Sequence, residues 1–180
     1  MARTNTLVRT LHDAGLAAWF GGALMGAVGV NGAADDVREP TERLRVANAG
    51  WAPVNAVAIG AHLIGGAGLL RANADRVRNE PGVKPVVALK SVVTGAALAT
   101  TAYAGVLGRR TAAGVGHPAR GGVTPAPETP AATAEAQRRL RIVQWVVPAL
   151  TGVLVVLAAQ QGEQQRPVGQ VGAWVHRLAG

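Results

Sequence analysis

Four long apolar segments constrain the fold of this chain more than any other feature. They cover approximately residues 11–30, 51–70, 86–107 and 142–159. At about 1.5 Å per residue, some 20 helical residues cover the roughly 30 Å hydrocarbon core of a bilayer. The first segment is rich in glycine, which destabilises a water-exposed helix but permits close helix packing in lipid. The sequence therefore predicts an all-α integral membrane protein, an antiparallel four-helix bundle forming a single membrane domain over residues 1–180.

The connections between these segments are polar. Residues 111–130 combine Gly and Pro with Ala and Thr, which buries little apolar surface, so we expect a flexible loop there. Pro148 lies inside the fourth segment and predicts a kink. Residues 168–178 carry apolar residues at helical spacing, which indicates an interfacial helix lying on the membrane. A loose, partly disordered tail is the alternative for these last residues.

The start of the chain has two interpretations. Arg3 and Arg9 precede the first apolar segment, and residues 32–34 are small, so residues 1–34 resemble a cleaved signal peptide. The apolar part is long for a signal peptide and more spans follow, so we expect it to be retained as the first transmembrane helix. Lys and Arg divide eight against nine between the two sides, and the lack of acidic residues near Arg3 and Arg9 favours both termini in the cytoplasm.

Charge and composition exclude several classes of protein. The net charge is +8, but the Arg residues flank apolar blocks and aromatic residues make up only 3%, which argues against nucleic-acid binding. Flanking Arg residues suit anionic lipid headgroups. The chain has no Cys, which excludes disulfides and thiolate metal sites. The expected partners are the lipid bilayer and either a second copy or a larger membrane complex.

Polar and small residues recur at heptad spacing within each segment. Such a stripe is expected to face the other helices, while the aliphatic face meets lipid. In the first segment it comprises His12, Gly15, Trp19, Gly22, Gly26 and Gly29, in the second Trp51, Asn55, Ala58, His62 and Gly65, in the third Lys90, Thr94, Ala97, Thr101, Ala104 and Gly108, and in the fourth Gln144, Pro148, Thr151, Val155 and Ala158. The predicted helix-packing positions are Gly15, Gly22, Gly26 and Gly65.

Ionisable and amide side chains inside the spans form a candidate intramembrane polar site, because such groups are costly in lipid. The site comprises His12, Asp13, Asn55, His62 and Lys90. Aligning the predicted span ends places His62 level with Trp19 and roughly 10 Å deeper than His12. This offset disfavours a metal or haem bound by both histidines. The same alignment brings Lys90 level with Asp13, and we expect the two side chains to approach each other.

Structural roles are the alternative for each of these residues. His12 and Asp13 fit a helix cap at the headgroup level, and Lys90 fits a side chain that extends to the interface. For His62, a hydrogen bond to Asn55 or to a threonine of another helix is the alternative to a proton relay or a ligand site.

Sequence motifs of common enzymes are absent, since the chain has no GxGxxG, P-loop, HExxH or GxSxG pattern. Its ten acidic residues lie mostly in the connections. We therefore expect no enzymatic activity and no cofactor, and an accessory or self-associating membrane subunit. The alternatives are a small transporter or permeation unit using a polar stripe around His62, and a membrane redox or metal protein using His12 or His62.

Stretches in and around the first two predicted spans resemble known membrane proteins. HDAGLAAWFGGALMGAVGVNGA, followed by ANAGW and PVNAVAIGAHLIGGAGLL, resembles a group of uncharacterised small four-span membrane proteins of high-GC actinobacteria. The WFGG element is loosely similar to the first helix of copper-resistance-D-like four-helix membrane families. These resemblances imply a bacterial plasma-membrane location. A copper role would require several His, Met or Cys ligands, and this chain has no Cys and two Met.

Overall fold

The structure is a computed structural model that describes residues 2–49, 51–79 and 83–164, most of which are helical. The helices are α1 (Ala2–Met25), α2 (Asn31–Asp35), α3 (Arg43–Ala47), α4 (Trp51–Ala72), α5 (Ala74–Asn79), α6 (Val83–Ala112) and α7 (Ala131–Gln164), and a π-helical turn over Gly26–Val30 joins α1 to α2. Two short antiparallel strands, β1 (Ala119–Gly121) and β2 (Thr124–Pro125), form a hairpin between α6 and α7. The all-α prediction is confirmed apart from this hairpin.

Four helical stretches are long and apolar enough to cross a membrane. They are Thr6–Asp35, Arg43–Ala72, Val83–Ala112 and Ala131–Gln160. Each predicted span lies inside one of these longer stretches. The last one continues through Pro148. The interfacial helix predicted over residues 168–178 lies outside the described residues.

Neighbouring long helices run antiparallel. Helix α1 packs against α4 and α7, and α6 packs against α7. Along the first pair, Gly15 faces Ala58 whereas Gly65 faces Val8, so one helix rises as the other descends. Helices α6 and α7 are also antiparallel. Arg139 near the start of α7 donates to the hydroxyl of Tyr103 late in α6, whereas Val147, further along α7, packs with Ala97, which is earlier in α6. The four long helices therefore alternate in direction.

Trp19 lies where all four long helices meet. Its side chain is fully buried and packs in one cluster with Ala58 of α4, Ala97 of α6 and Val147 of α7. Its indole Nε1–H donates to the hydroxyl oxygen of Thr101, 3.2 Å away on α6. Small residues on α4 and α6 leave room for the indole, and the hydrogen bond satisfies its one polar atom. This single side chain links helices that are distant in sequence.

The prediction of a flexible loop over residues 111–130 is wrong. This stretch contains the β1–β2 hairpin, and Ala119, Val123 and Thr129 are buried. The Thr129 hydroxyl donates to the carbonyl of Pro118 at 2.6 Å and accepts the backbone N–H of Ala126 at 2.8 Å. Local composition suggested disorder, but the stretch is held by contacts of its own and by distant side chains.

Two of those side chains belong to α3 and α7. The Arg43 guanidinium donates to the carbonyls of Ala119 and Arg120, at 3.3 and 2.7 Å, and its Nε–H donates to the carbonyl of Val37 at 2.8 Å. The fully buried Gln137 amide donates to the carbonyl of Gly121 at 2.9 Å. The hairpin and residues 36–48 therefore form an ordered cap over one end of the helices.

The π-helical turn overturns one packing prediction. A Cβ built on Gly26 meets nothing within 4 Å, so this glycine makes no close helix contact. Because a π-helical turn carries more residues than an α-helical one, the buried face shifts along the chain. The buried residue in this turn is Ala27. Gly22, which precedes the turn, is buried, and its role in helix packing stays a prediction.

Candidate functional site

The two histidines inside the predicted spans lie face to face between α1 and α4. The ring centroids of His12 and His62 are 4.0 Å apart, and the ring planes differ by 19°. His62 is 2% exposed, while His12 is half-buried. The Trp19 ring also lies near His62, with its centroid 6.0 Å from that of the imidazole. A stacked imidazole pair therefore sits directly beside the tryptophan that joins the four helices.

Each histidine donates a hydrogen bond to the backbone of the other. The Nδ1 of His12 lies 3.0 Å from the carbonyl oxygen of His62, and the Nδ1 of His62 lies 3.0 Å from the carbonyl oxygen of His12. A carbonyl oxygen can only accept, so both Nδ1 atoms carry the hydrogen. In a neutral ring, Nε2 is then the atom that can accept a proton.

Two glycines allow the helix backbones to approach this closely. A Cβ built on Gly15 would lie 2.5 Å from the His62 nitrogen and 2.6 Å from the Ala58 carbonyl oxygen. A Cβ on Gly65 would meet the His12 nitrogen and would lie 2.5 Å from the Val8 carbonyl oxygen. These distances are far below ordinary contact, so neither position accepts a larger side chain without movement. These two predicted packing glycines lie against the backbone that carries the histidine pair.

The predicted depth offset between the histidines is wrong. Alignment of the predicted span ends placed His12 level with about residue 69 of α4, whereas its backbone lies against Gly65 and its ring stacks on that of His62. Helix α1 begins nine residues before the predicted span, at Ala2, and the contacts of Gly15 and Gly65 set the axial register. The argument from offset against a shared metal or haem therefore fails.

The ring arrangement itself bears on metal binding. A metal ion is bound in the ring plane, along a nitrogen lone pair and at about 2 Å. In this pair the ring faces meet, and both Nδ1 atoms are engaged with carbonyls. Within the described ranges, no group of three or more His, Asp and Glu side chains is arranged to hold a metal ion. The arrangement suits helix–helix attachment and proton binding at Nε2.

Two further predicted residues lie near the pair. Lys90 is half-buried on α6, and Asp13 and Arg9 are among the charges that act on it. The charges of Asp13 and Lys90 also act on His62. Charges on α1 and α6 therefore act on the histidine pair, and the close approach of Asp13 to Lys90 stays a prediction.

Asn55 lies apart from these residues. It is two helical turns from His62 along α4, and His62 bonds to the backbone of His12 rather than to Asn55. The Oδ1 atom of Asn55 is buried without a hydrogen-bond partner. Among the described side chains, only Gln137 also has such an atom. An unsatisfied acceptor inside a helix bundle is costly, so this amide marks a second polar position in the interior.

Comparison of the chain with family models, with curated proteins and with solved structures gives no match. The site must therefore be understood from its own geometry.

A repeated motif marks the histidine pair in the sequence, although we did not predict its significance. Both α1 and α4 contain His-x-x-Gly, as His12–Gly15 and His62–Gly65, at a separation of 50 residues. In an antiparallel pair, each glycine can admit the backbone of the opposite histidine. The repeat would have identified the correct register of α1 against α4.

Proposed function

We propose that this chain is a multi-pass integral protein of the bacterial plasma membrane that serves as an accessory or self-associating subunit and catalyses no reaction. The observation that carries this proposal is the reciprocal bonding of His12 and His62. Both rings use Nδ1 to hold α1 against α4, and the adjacent Trp19 uses its indole N–H to hold α6. These interior polar groups thus connect helices.

Large aliphatic side chains on the outside of the helices support the membrane location. Between 6% and 28% of the most apolar window of each candidate span is buried inside the molecule. Val57, Ile64, Val92 and Ile142 are each at least 66% exposed. In water, such surfaces would form large apolar patches, whereas in lipid they meet acyl chains.

The mass of the complex that the protein forms tests whether it associates with a second copy or with another membrane protein. Native mass spectrometry of the protein released from a mild detergent should show a dimer, a higher oligomer or a complex with a co-purifying membrane protein. A monomer without a partner across several detergents and lipid nanodiscs would contradict the subunit proposal while leaving the membrane location intact.

A small permeation unit is the second candidate, favoured by the unpartnered Oδ1 of Asn55 and the charges that act on His62. In that function, Asn55→Leu would abolish solute or proton flux into proteoliposomes, while Gly21→Ala, at an open position, would leave it unchanged. Equal flux in empty and protein-containing vesicles would contradict this second candidate.

A further inference from the structure

We propose that the His12–His62 pair is a proton-operated clasp, which holds α1 against α4 when at most one ring is protonated and releases them when both are. This goes beyond the proposed subunit role, because it assigns a ligand, the proton, and a conformational response. The proposal stands on the stacked rings, the reciprocal hydrogen bonds and the glycine contacts.

A first proton leaves the clasp intact. Both Nδ1 atoms already donate, so a proton enters at Nε2 and breaks neither interhelical bond. The protonated ring is a stronger donor toward the opposite carbonyl. Asp13 supplies a negative charge that acts on His62. The singly protonated pair is therefore compatible with the closed interface.

A second proton is opposed by the geometry. It would place two positive charges on rings whose centroids are 4.0 Å apart in a poorly solvated interior. Lys90 on α6 adds a further positive charge, and Arg9 acts on Lys90. Along α7, residues 142–160 carry no titratable side chain that could compensate. Asp13 is thus the only acidic group among the charges that act on His62 in the described residues.

Repulsion between the rings acts directly on the helices. Each hydrogen bond joins the ring of one helix to the backbone of the other, so separating the rings breaks both bonds together. Gly15 and Gly65 keep the two backbones in contact, which prevents the rings from turning past each other within a closed interface. Double protonation should therefore open the interface on the side of the histidine pair.

Trp19 provides an internal reporter, because its ring centroid is 6.0 Å from that of His62 and an imidazolium quenches indole fluorescence. To leave Trp19 as the single tryptophan, the other three are replaced by phenylalanine in the triple variant Trp51→Phe, Trp145→Phe and Trp174→Phe. In nanodiscs, Trp19 emission should fall as the pH is lowered and the imidazole beside it takes up a proton. The fall should disappear in His62→Asn and persist in His117→Asn, which alters an exposed histidine between α6 and β1.

Asparagine is the matched replacement because its Nδ2 hangs from Cγ, as Nδ1 does in histidine. It can donate to the same carbonyl but does not titrate. If His62→Asn fails to fold, Lys90→Gln serves instead, because it keeps both histidines and removes a repelling charge. The transition should then move to higher pH. An unchanged transition in Lys90→Gln, or one that persists in His62→Asn, would overturn the proposal.

Opening of the helices is measured between spin labels at Leu7→Cys and Leu70→Cys. Both positions are exposed, and the chain has no native Cys. The distance distribution should be narrow at pH 8 and longer or broader at pH 5. The double variant His12→Asn/His62→Asn should stay narrow at both pH values. Identical distributions at both pH values in the wild-type pair would overturn the proposal, as would opening in the double variant.

Discussion

Replacing Gly15 by alanine should separate α1 from α4. The added methyl would lie 2.5 Å from the His62 nitrogen and 2.6 Å from the Ala58 carbonyl oxygen. Because ordinary contact distances are about 3.5–4.0 Å, the backbones must move apart by about 1 Å. This movement lengthens both Nδ1-to-oxygen distances from 3.0 Å to about 4 Å, where no hydrogen bond remains.

The expected loss follows from these two effects. Overpacking a tightly packed interface costs about 1–3 kcal/mol. An interhelical hydrogen bond in a membrane protein contributes about 0.6 kcal/mol on average, and two are lost. The free energy of unfolding should therefore fall by about 2–4 kcal/mol in Gly15→Ala, and by a similar amount in Gly65→Ala.

Unfolding in dodecyl maltoside micelles with increasing SDS, followed by far-UV circular dichroism, measures this loss. The matched controls are Gly21→Ala on α1 and Gly60→Ala on α4, where an added Cβ meets nothing within 4 Å. The controls should unfold at or slightly above the wild-type SDS fraction, because alanine favours helix over glycine by up to about 1 kcal/mol. If Gly15→Ala unfolds together with Gly21→Ala, the reasoning about a close α1–α4 contact is refuted.

Substitutions at four other positions test the same architecture. Trp19→Ala should lower the free energy of unfolding by about 3–5 kcal/mol, because it removes a large buried side chain. Thr101→Val removes only the hydrogen bond to the indole and should lower the free energy of unfolding by about 0.6 kcal/mol. Equal effects of the two substitutions would contradict the packing role of the indole. In the same SDS assay, the free energy of unfolding of His12→Asn should stay within about 1 kcal/mol of wild type, because asparagine keeps a donor for the His62 carbonyl. A larger loss in His12→Asn than in His12→Leu would contradict the hydrogen bond assigned to His12. Arg43→Ala should speed hydrogen exchange in residues 119–125 by about tenfold. This factor corresponds to a loss of about 1.5 kcal/mol from the charge-assisted hydrogen bonds of Arg43. Unchanged exchange would contradict the ordered cap.

Apolar length and polar periodicity were sufficient to predict the helices and much of their inward faces. Twenty apolar residues without charge have few alternatives to a helix that crosses a bilayer. The stripes were also informative, because the structure buries Gly15 and Trp19 on α1 and Ala58 and His62 on α4. These features depend on local sequence, which is why the chain alone reveals them.

The axial register of α1 against α4 could not be obtained from the stripes. The predicted partner level of His12 is about residue 69, whereas its backbone lies against Gly65, four residues away. Because stripe positions recur every three or four residues, registers about one helical turn apart fit the pattern equally well. The contacts of Gly15 and Gly65 distinguish them, since only one register places each glycine against the opposite backbone.

Order in the cap was equally beyond local composition. Residues 111–130 bury little apolar surface by themselves, but the hairpin carbonyls accept hydrogen bonds from Arg43, more than 70 residues earlier, and from Gln137 on α7. Such long-range polar contacts depend on the completed fold. The π-helical turn at Gly26–Val30 interrupts the heptad stripe of the first segment, and the stripe itself did not predict this interruption.

Cysteine labelling from the two sides of the membrane tests the central claim that four segments cross a bilayer. The chain has no native Cys, so Glu39→Cys, Arg78→Cys and Glu128→Cys place single thiols in its three connections or beside them, at exposed positions. An impermeant maleimide added to sealed vesicles should label Glu39→Cys and Glu128→Cys from one side and Arg78→Cys only from the other. Labelling of all three from the same side of intact vesicles, or release of the protein into solution without detergent, would contradict the account.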